Sequence, residues 1–234
     1  STSKIMAVDD ISFKVPKQQI IGLGGVEGNG QKELIQFIFG QYKNISGQMF
    51  YNHVDVTNFN THERRTAGFS FIPEDRHLQG LLMDLDICNN FYLNNLVNEY
   101  TNLKFIRWKK LYEYVKPVIK DYSVMPNNPQ NIVSRLSGGN QQKVVLSRET
   151  YQNPEFLVVS NPTWGLDVEA AEFVHERLLE LNQKGSTIML FSSDLNELLK
   201  LSNRLLIFYR GKITYDKMVA KADLSDISNA MAGI

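Results

Sequence analysis

Leu136–Lys143 reads LSGGNQQK, a serine and two glycines that lead into a helical pattern of apolar residues. Ser137 stands where a helix N-cap is expected, and its hydroxyl and the first free N–H groups of the helix would face an anion. Taken alone, the segment fits an ordinary serine cap with a glycine turn equally well. The rest of the chain therefore decides what this helix start does.

A second glycine-rich segment, Gly25–Lys32 (GVEGNGQK), lies between an apolar strand pattern and a helical pattern. This context suits a phosphate-binding loop, because glycine lets backbone N–H groups curl around phosphate oxygens. The usual loop ends in Gly-Lys-Ser/Thr, whereas this loop has Gln31 in the lysine position and Lys32 in the hydroxyl position. Gln31 is neutral, and the ammonium of Lys32 has no lone pair for Mg²⁺. By itself the segment fits a plain strand–helix turn equally well.

Hydrophobic periodicity predicts an α/β core interrupted by a helical block. The predicted strands are Ile11–Val15, Gln19–Leu23, Phe69–Ile72, Phe156–Val159 and Thr187–Phe191, with strand pairs at Gly47–Tyr51/Val54–Val56 and Leu205–Tyr209/Ile213–Tyr215. Helical spacing dominates from about Asp86 to Gln152, notably at residues 86–96 and 106–119. A further helix is predicted at residues 194–201, capped by Ser193.

Composition excludes several classes of protein. Lys plus Arg and Asp plus Glu number 25 each, and this zero net charge argues against a nucleic-acid binder. Cys88 is the single cysteine, so no internal disulfide is possible. No apolar run reaches the roughly 18 residues of a membrane span, and no signal-peptide pattern is present. These features predict an intracellular, soluble domain, and the four histidines lack metal-ligand spacing, so no metal site is predicted.

LSGGNQQK resembles the signature motif of ABC ATPases, and its Asn-Gln-Gln ending is similar to that of the sugar and nucleoside importers. Other segments follow in the order of that family: Ile72–Arg76 (IPEDR) resembles the Q-loop, Phe156–Asp167 (FLVVSNPTWGLD) resembles the Walker B strand and D-loop, and Leu190–Asp194 falls at the switch histidine. From about Ala7 to Lys217 the chain resembles the second, C-terminal nucleotide-binding domain of the fused ATPase subunit of nucleoside or simple-sugar importers.

The resemblance implies an α/β fold with a P-loop NTPase-type core, a mainly parallel central sheet, an antiparallel β portion and an inserted α-helical subdomain. We expect one domain over residues 1–234, with about 1–85 and 153–234 in the core and about 86–152 in the subdomain. In ABC ATPases two such domains pair head to tail, and each signature motif reaches the ATP held by the other. The implied residues are Gly25, Gly28, Asn29, Gly30, Gln31, Lys32 and Glu33 for the chain's own nucleotide; Ser137, Gly138, Gly139, Asn140 and Gln141 for the partner's ATP; Asp167 in the D-loop; and Asp75 and Arg76 in the groove for a transmembrane partner.

Five positions depart from an active ABC ATPase. Gln31 replaces the phosphate-clamping lysine, Ser160 the aspartate that supports Mg²⁺, and Asn161 the general-base glutamate. Ser193 stands at the switch histidine and Glu74 at the Q-loop glutamine. An amide cannot take a proton from water at neutral pH, so we predict that the chain's own site binds ATP weakly or without hydrolysis. Mg²⁺ is expected only with ATP at the partner's site.

The resemblance also implies partners and a location. These are a second ABC nucleotide-binding domain in the same polypeptide, transmembrane permease subunits and an extracellular substrate-binding protein, at the cytoplasmic face of the cell membrane. Ser1–Asp10 contains no aromatic residue for adenine, which favours a piece of a longer protein that starts late. Two alternatives stay open: a non-enzymatic pseudo-ATPase module, and a soluble non-transport ABC protein, against which zero net charge weighs. A GTPase is disfavoured by the lack of Asn-Lys-x-Asp, and a kinase by the helix after the glycine loop.

Overall fold

The computed structural model describes residues 8–42, 46–92, 101–102 and 105–234. The chain forms two compact units and passes between them several times. Unit 1 contains Ser1–Phe69, Glu155–Asn161 and Gly185–Ile234; unit 2 contains Ser70–Pro154 and Pro162–Lys184. Within the described ranges, no helix has the length and apolar character needed to cross a bilayer. The part of the predicted 86–96 helix after Tyr92, and most of the segment searched for an adenine-stacking aromatic, lie outside the described residues.

The main sheet has the strand order β10-β9-β1-β8-β7-β4. The strands are β1 (Ile20–Gly24), β2 (Phe50–Tyr51), β3 (Val54–Asp55), β4 (Phe69–Ile72), β5 (Thr101–Asn102), β6 (Phe105–Ile106), β7 (Phe156–Ser160), β8 (Thr187–Phe191), β9 (Arg204–Tyr209) and β10 (Lys212–Met218). β1 pairs in parallel with β8 and β9, and β7 with β8, while β9 and β10 form an antiparallel hairpin. β1, β7 and β8 are buried along their whole length, as apolar runs in parallel sheets are. The predicted mainly parallel sheet with an antiparallel portion is confirmed.

Eight α-helices occur among the described residues. They are α1 (Gln31–Ile38), α2 (Thr61–Thr66), α3 (Ile87–Tyr92), α4 (Trp108–Asp121), α5 (Gly138–Thr150), α6 (Val168–Gln183), α7 (Leu195–Leu201) and α8 (Leu224–Ala232). Side-chain caps begin α2, α5, α6, α7 and α8, contributed by Asn60, Ser137, Asp167, Asp194 and Asp223. α3 to α6 lie in unit 2, so the predicted presence of a helical subdomain is confirmed, while its predicted bounds of about 86–152 stay a prediction.

Two local predictions were wrong, and one small pair of strands was not predicted. Ile11–Val15 keeps the alternating exposure of a strand but joins no ladder among the described residues; the carbonyl of Lys14 instead accepts a hydrogen bond from Arg204 Nη1. The cap of α7 is Asp194, whose carboxylate accepts from the N–H of Asn196, and not Ser193. The helical block contains a small antiparallel pair, β5 and β6, too short for periodicity to reveal.

Arg64 is a fully buried arginine in unit 1, on α2. Its Nε donates to Phe59 O at 3.1 Å, and its Nη2 donates to Val56 O at 2.9 Å and Thr57 O at 3.3 Å. The guanidinium also lies 6.0 Å from the ring centroid of Phe69. Burial lowers the pKa of this guanidinium. One side chain thus satisfies three carbonyls of the segment between β3 and α2.

Cys88 provides a test of the packing of unit 2. The side chain is buried on α3, and burial together with the charge of Asp86 raises the pKa of the Cys88 thiol to about 12. The thiol therefore stays protonated at pH 8, where thiolate is the reactive form. We expect Ellman's reagent to label native protein very slowly and denatured protein to one thiol per chain. Rapid labelling of native protein would contradict this packing.

Candidate functional site

The glycine-rich loop Gly25–Lys32 connects β1 to α1 in unit 1. Gly25, Gly28 and Gly30 have φ angles of 141°, 86° and 107°, which favour glycine. A Cβ on Gly25 would lie 2.4 Å from Phe208 O, so no side chain fits there. α1 begins without a side-chain cap, which leaves the N–H groups of its first turn for an outside acceptor. The backbone of this loop therefore fits a phosphate group.

The polar side chains of this loop bond back to the protein. Asn29 Nδ2 and Gln31 Nε2 donate to Val26 O at 2.7 and 3.2 Å. Asn29 also fixes the loop to the β9–β10 turn, because its Oδ1 accepts from the N–H of Arg210 at 2.7 Å and its carbonyl accepts from the N–H of Gly211 at 2.9 Å. Gln31 thus donates from a neutral amide to the loop itself, at the position where the resemblance noted above implies a cation. Lys32 is exposed and Glu33 partly exposed at the start of α1.

The strand ends beside this loop carry Ser160, Asn161 and Ser193. Ser160 is buried at the end of β7. Asn161 follows with a φ of 40°, and its Oδ1 accepts from the N–H of Ser193 at 2.8 Å and lies 3.3 Å from Ser193 Oγ. None of the three positions offers a carboxylate. Mg²⁺ is held by carboxylates, with water and phosphate oxygens, so these side chains do not fit a Mg²⁺ site.

The LSGGNQQK segment lies in unit 2, and Ser137 is exposed at the start of α5. Its Oγ accepts from Asn140 Nδ2 at 2.9 Å and from the N–H of Asn140 at 3.4 Å. Gln141 is buried in the first turn, and its Nε2 donates to the carbonyls of Val133 and Leu136 at 3.3 and 3.0 Å. The helix therefore presents Ser137 on a turn that an internal amide fixes in place.

Gly138 and Gly139 leave the start of α5, called the tip below, without bulky side chains. A Cβ on Gly138 would lie 3.0 Å from Arg76 Nη2, and one on Gly139 would lie 3.1 Å from the Cβ of Ala170. Both glycines are partly exposed. The tip therefore packs closely against its neighbours within unit 2 while its outer side faces solvent.

The IPEDR segment contacts the signature segment within unit 2. Asp75 Oδ1 accepts from the N–H groups of His77 and Leu78 at 2.9 and 3.0 Å and so fixes a short π-helical turn, Arg76–Gly80. His77 Nε2 lies 2.8 Å from Gln141 Oε1. Because the Gln141 amide N–H groups are already donated to carbonyls, the network assigns the proton of this bond to His77 Nε2.

Three more predicted residues, Arg76, Glu74 and Asp167, also lie in unit 2. Arg76 Nη1 donates to Trp164 O at 3.2 Å, and Trp164 itself is well exposed. Glu74 is partly exposed between β4 and the π-helical turn. Asp167 caps α6, accepting from the N–H of Ala170 at 2.8 Å, so this contact alone accounts for an aspartate there.

Comparison with protein families identifies the chain. Residues 8–164 match the family model described as "ABC transporter". The chain belongs to the ABC transporter family. The predicted family is thereby confirmed, while the assignment to the second domain of a fused subunit stays a prediction.

Curated relatives of this ABC chain are importer ATP-binding proteins. The chain is 34% identical over 233 residues to the guanosine import ATP-binding protein NupO of Bacillus subtilis strain 168, covering 99% of the chain and 46% of NupO. It is 32% identical over 209 residues to the nucleoside import ATP-binding protein NupA of Lactococcus lactis subsp. cremoris MG1363, covering 89% and 41%. It is 34% identical over 207 residues to the ribose import ATP-binding protein RbsA of Clostridium tetani E88, covering 88% and 41%. The chain therefore spans less than half of the length of these relatives.

Solved ABC structures share the fold at lower identity. A dimeric ATP-binding cassette in a post-hydrolysis state, bound to ADP and Pi, superposes with a TM-score of 0.77 at 20% identity, covering 94% of each chain. A nucleotide-free ATP-binding cassette of an ABC transporter gives 0.76 at 22% identity, covering 99% and 91%. The predicted ABC ATPase fold is confirmed.

Sequence reasoning missed three contacts in this ABC chain. It did not predict that Asn140 donates hydrogen bonds to Ser137 Oγ. The two residues are three positions apart, the spacing of an N-cap residue and the N–H that it accepts from, so this contact could have been predicted. His77 contacts Gln141 across 64 positions, and Arg210 contacts Asn29 across 181. No local pattern signals such distant pairs.

Proposed function

We propose that this chain is an ATP-binding part of an ABC importer for nucleosides or simple sugars. Its own Walker site is degenerate, and its signature motif completes the ATPase site of a partner domain. The observation that carries the proposal is the contrast between the start of helix α5 and the end of strand β7. Ser137 is exposed and intact at the tip of α5, whereas Asn161 is an amide already bonded to Ser193.

The chain's own nucleotide site has a backbone that fits phosphate but lacks side chains that would hydrolyse ATP. Its glycine backbone fits an anion, and Asn29 fixes the loop to the β9–β10 turn. No described side chain among Gln31, Ser160, Asn161 and Ser193 is a cation, a carboxylate or a base. A general base typically contributes about 10²–10⁴-fold in rate. We therefore infer that ATP bound here is held and not hydrolysed.

The signature segment has what a phosphate-contacting helix tip requires. Ser137 supplies a hydroxyl, Gly138 and Gly139 allow close approach, and the N-terminus of the 13-residue helix α5 favours negative charge. A partner domain that binds ATP and Mg²⁺ on its own Walker residues would receive this tip. In this proposal Asp167 lies in the D-loop, and Asp75 and Arg76 belong to the groove for the transmembrane partner.

The chain's relatives support a larger assembly. Because the chain spans 46% of NupO and 41% of NupA, we propose a second ABC nucleotide-binding domain in the same polypeptide. We also propose permease subunits, an extracellular substrate-binding protein and a location at the cytoplasmic face of the membrane. Within the 234 residues we propose one domain, with about 1–85 and 153–234 as core and about 86–152 as helical subdomain.

A substitution in the chain's own nucleotide site that is expected to leave turnover unchanged tests the proposal. Asn161→Gly removes the amide side chain and tolerates the positive φ at this position. In the assembled transporter we expect an unchanged rate of ATP hydrolysis, because this site does not turn over. A fall of about 10²-fold, typical of losing a catalytic base, would contradict the proposal. Unchanged ATP hydrolysis together with no uptake of any nucleoside or sugar would favour the pseudo-ATPase alternative.

A further inference from the structure

We propose that Asn140 is a positioning residue that turns the hydroxyl proton of Ser137 outward, toward the terminal phosphate of the partner's nucleotide. This inference rests on the proposed function, because it concerns how the signature motif acts on that nucleotide. Asn140 acts through Ser137 and not by contact with the reacting atoms. The argument depends on the orientation of one amide.

The orientation of the Asn140 amide follows from its neighbour in the Met125–Asn131 loop. The N–H of Met125 lies 2.7 Å from Asn140 Oδ1, and a backbone N–H can only donate. The oxygen must therefore face Met125. The amide nitrogen is then the atom that faces Ser137, 2.9 Å from its Oγ. The usual ambiguity between the two ends of an Asn side chain does not arise here.

The Ser137 hydroxyl is consequently left to act as a hydrogen-bond donor. A serine oxygen has two lone pairs and one proton. Both lone pairs face donors of Asn140, its Nδ2 and its backbone N–H at 3.4 Å. The hydroxyl proton therefore points away from Asn140, and Ser137 is exposed. The arrangement makes Ser137 a donor, which is the role that an anionic phosphate oxygen requires.

A carboxylate of the same size would reverse this arrangement. In Asn140→Asp one oxygen still accepts from the N–H of Met125, so the loop contact is preserved. The other oxygen has no proton to give and accepts the Ser137 hydroxyl proton instead.

The experiment compares variants of the ATPase subunit in the assembled transporter. For Asn140→Asp we expect kcat for ATP hydrolysis to fall about 10- to 100-fold with KM for ATP little changed, since a charge-assisted bond is lost where the phosphate reacts. For Asn140→Ala we expect about a two- to tenfold fall, the effect of one neutral hydrogen bond. In a Ser137→Ala background, Asn140→Ala should cause no further fall, because its target is gone.

Asn128→Asp is the matched control. It adds the same charge to the exposed loop Met125–Asn131, which Asn140 contacts from α5, and it can still accept from the N–H of Gln130 at 3.1 Å. Its kcat should therefore equal the parent's. A parental kcat in Asn140→Asp would overturn the role of Asn140 and leave the proposed function standing. The same holds if Asn140→Ala lowers kcat equally in the parent and in the Ser137→Ala background. Parental kcat in Ser137→Ala would overturn the proposed function as well.

Discussion

Replacing Ser137 by alanine in the assembled transporter is expected to lower ATP turnover by about 10²–10³-fold, the typical effect of removing one donor from developing charge in a closed site. The substitution removes the exposed hydroxyl at the tip of α5 and leaves the buried Gln141 contacts intact. Loss of an N-cap costs about 1 kcal/mol, too little to unfold a domain of this size. The measurement is steady-state phosphate release per transporter, beside a thermal melt of each variant.

Ser134→Ala is the control for this experiment. Ser134 is exposed three residues earlier, and its backbone N–H, which the substitution keeps, donates to Met83 O. We expect parental turnover from this variant. Unchanged turnover in Ser137→Ala, with Ser134→Ala equally unchanged, would remove the idea that this chain completes a partner's site.

Replacing Arg64 by leucine is expected to lower the free energy of unfolding by roughly 3 kcal/mol or more, because each buried polar group left without a partner costs about 1–3 kcal/mol. The carbonyls of Thr57 and Phe59 would lose this donor, and Val56 O would keep only the N–H of Phe59. The arginine side chain that is removed is fully buried. Arg64→Lys should be intermediate, since one ammonium cannot reach all three in the fork geometry of a guanidinium. Chemical denaturation of the purified domain measures the difference.

His62→Leu on the same short helix is the comparison for Arg64. His62 is exposed, and such surface changes usually shift the free energy of unfolding by less than about 0.5 kcal/mol. An Arg64→Leu variant as stable as His62→Leu would show that the buried guanidinium is not needed for folding.

The fold was predictable where local pattern and burial agree. The apolar runs of β7 and β8 and the glycines that open the loop before α1 gave the parallel core, because a central strand is buried on both faces. The cap at Ser137 was predictable from residue type alone. Ile11–Val15 shows the limit: its alternation of exposure is real, but a strand also needs a neighbour for its backbone, and Arg204 bonds to Lys14 instead.

The candidate site was predictable as residue types but not as contacts. Gln31, Ser160 and Asn161 could be recognised as replacements by their order in the sequence. That Asn161 bonds to Ser193, 32 positions away, depends on the neighbouring positions of β7 and β8 in the sheet. α8 was missed although a capping aspartate, Asp223, and a glycine, Gly233, stand at its two ends.

The central claim is that the signature segment at the start of α5 completes the ATPase site of a partner domain, whereas the chain's own nucleotide site cannot hydrolyse ATP. The most direct measurement is Mg²⁺-dependent phosphate release by the purified 234-residue chain, over protein concentrations that would drive it to pair with itself. We predict release no faster than in a blank without protein, since both sites of a self-pair would carry Gln31, Ser160 and Asn161. Sustained release that requires Mg²⁺ and grows with the amount of chain would contradict the claim.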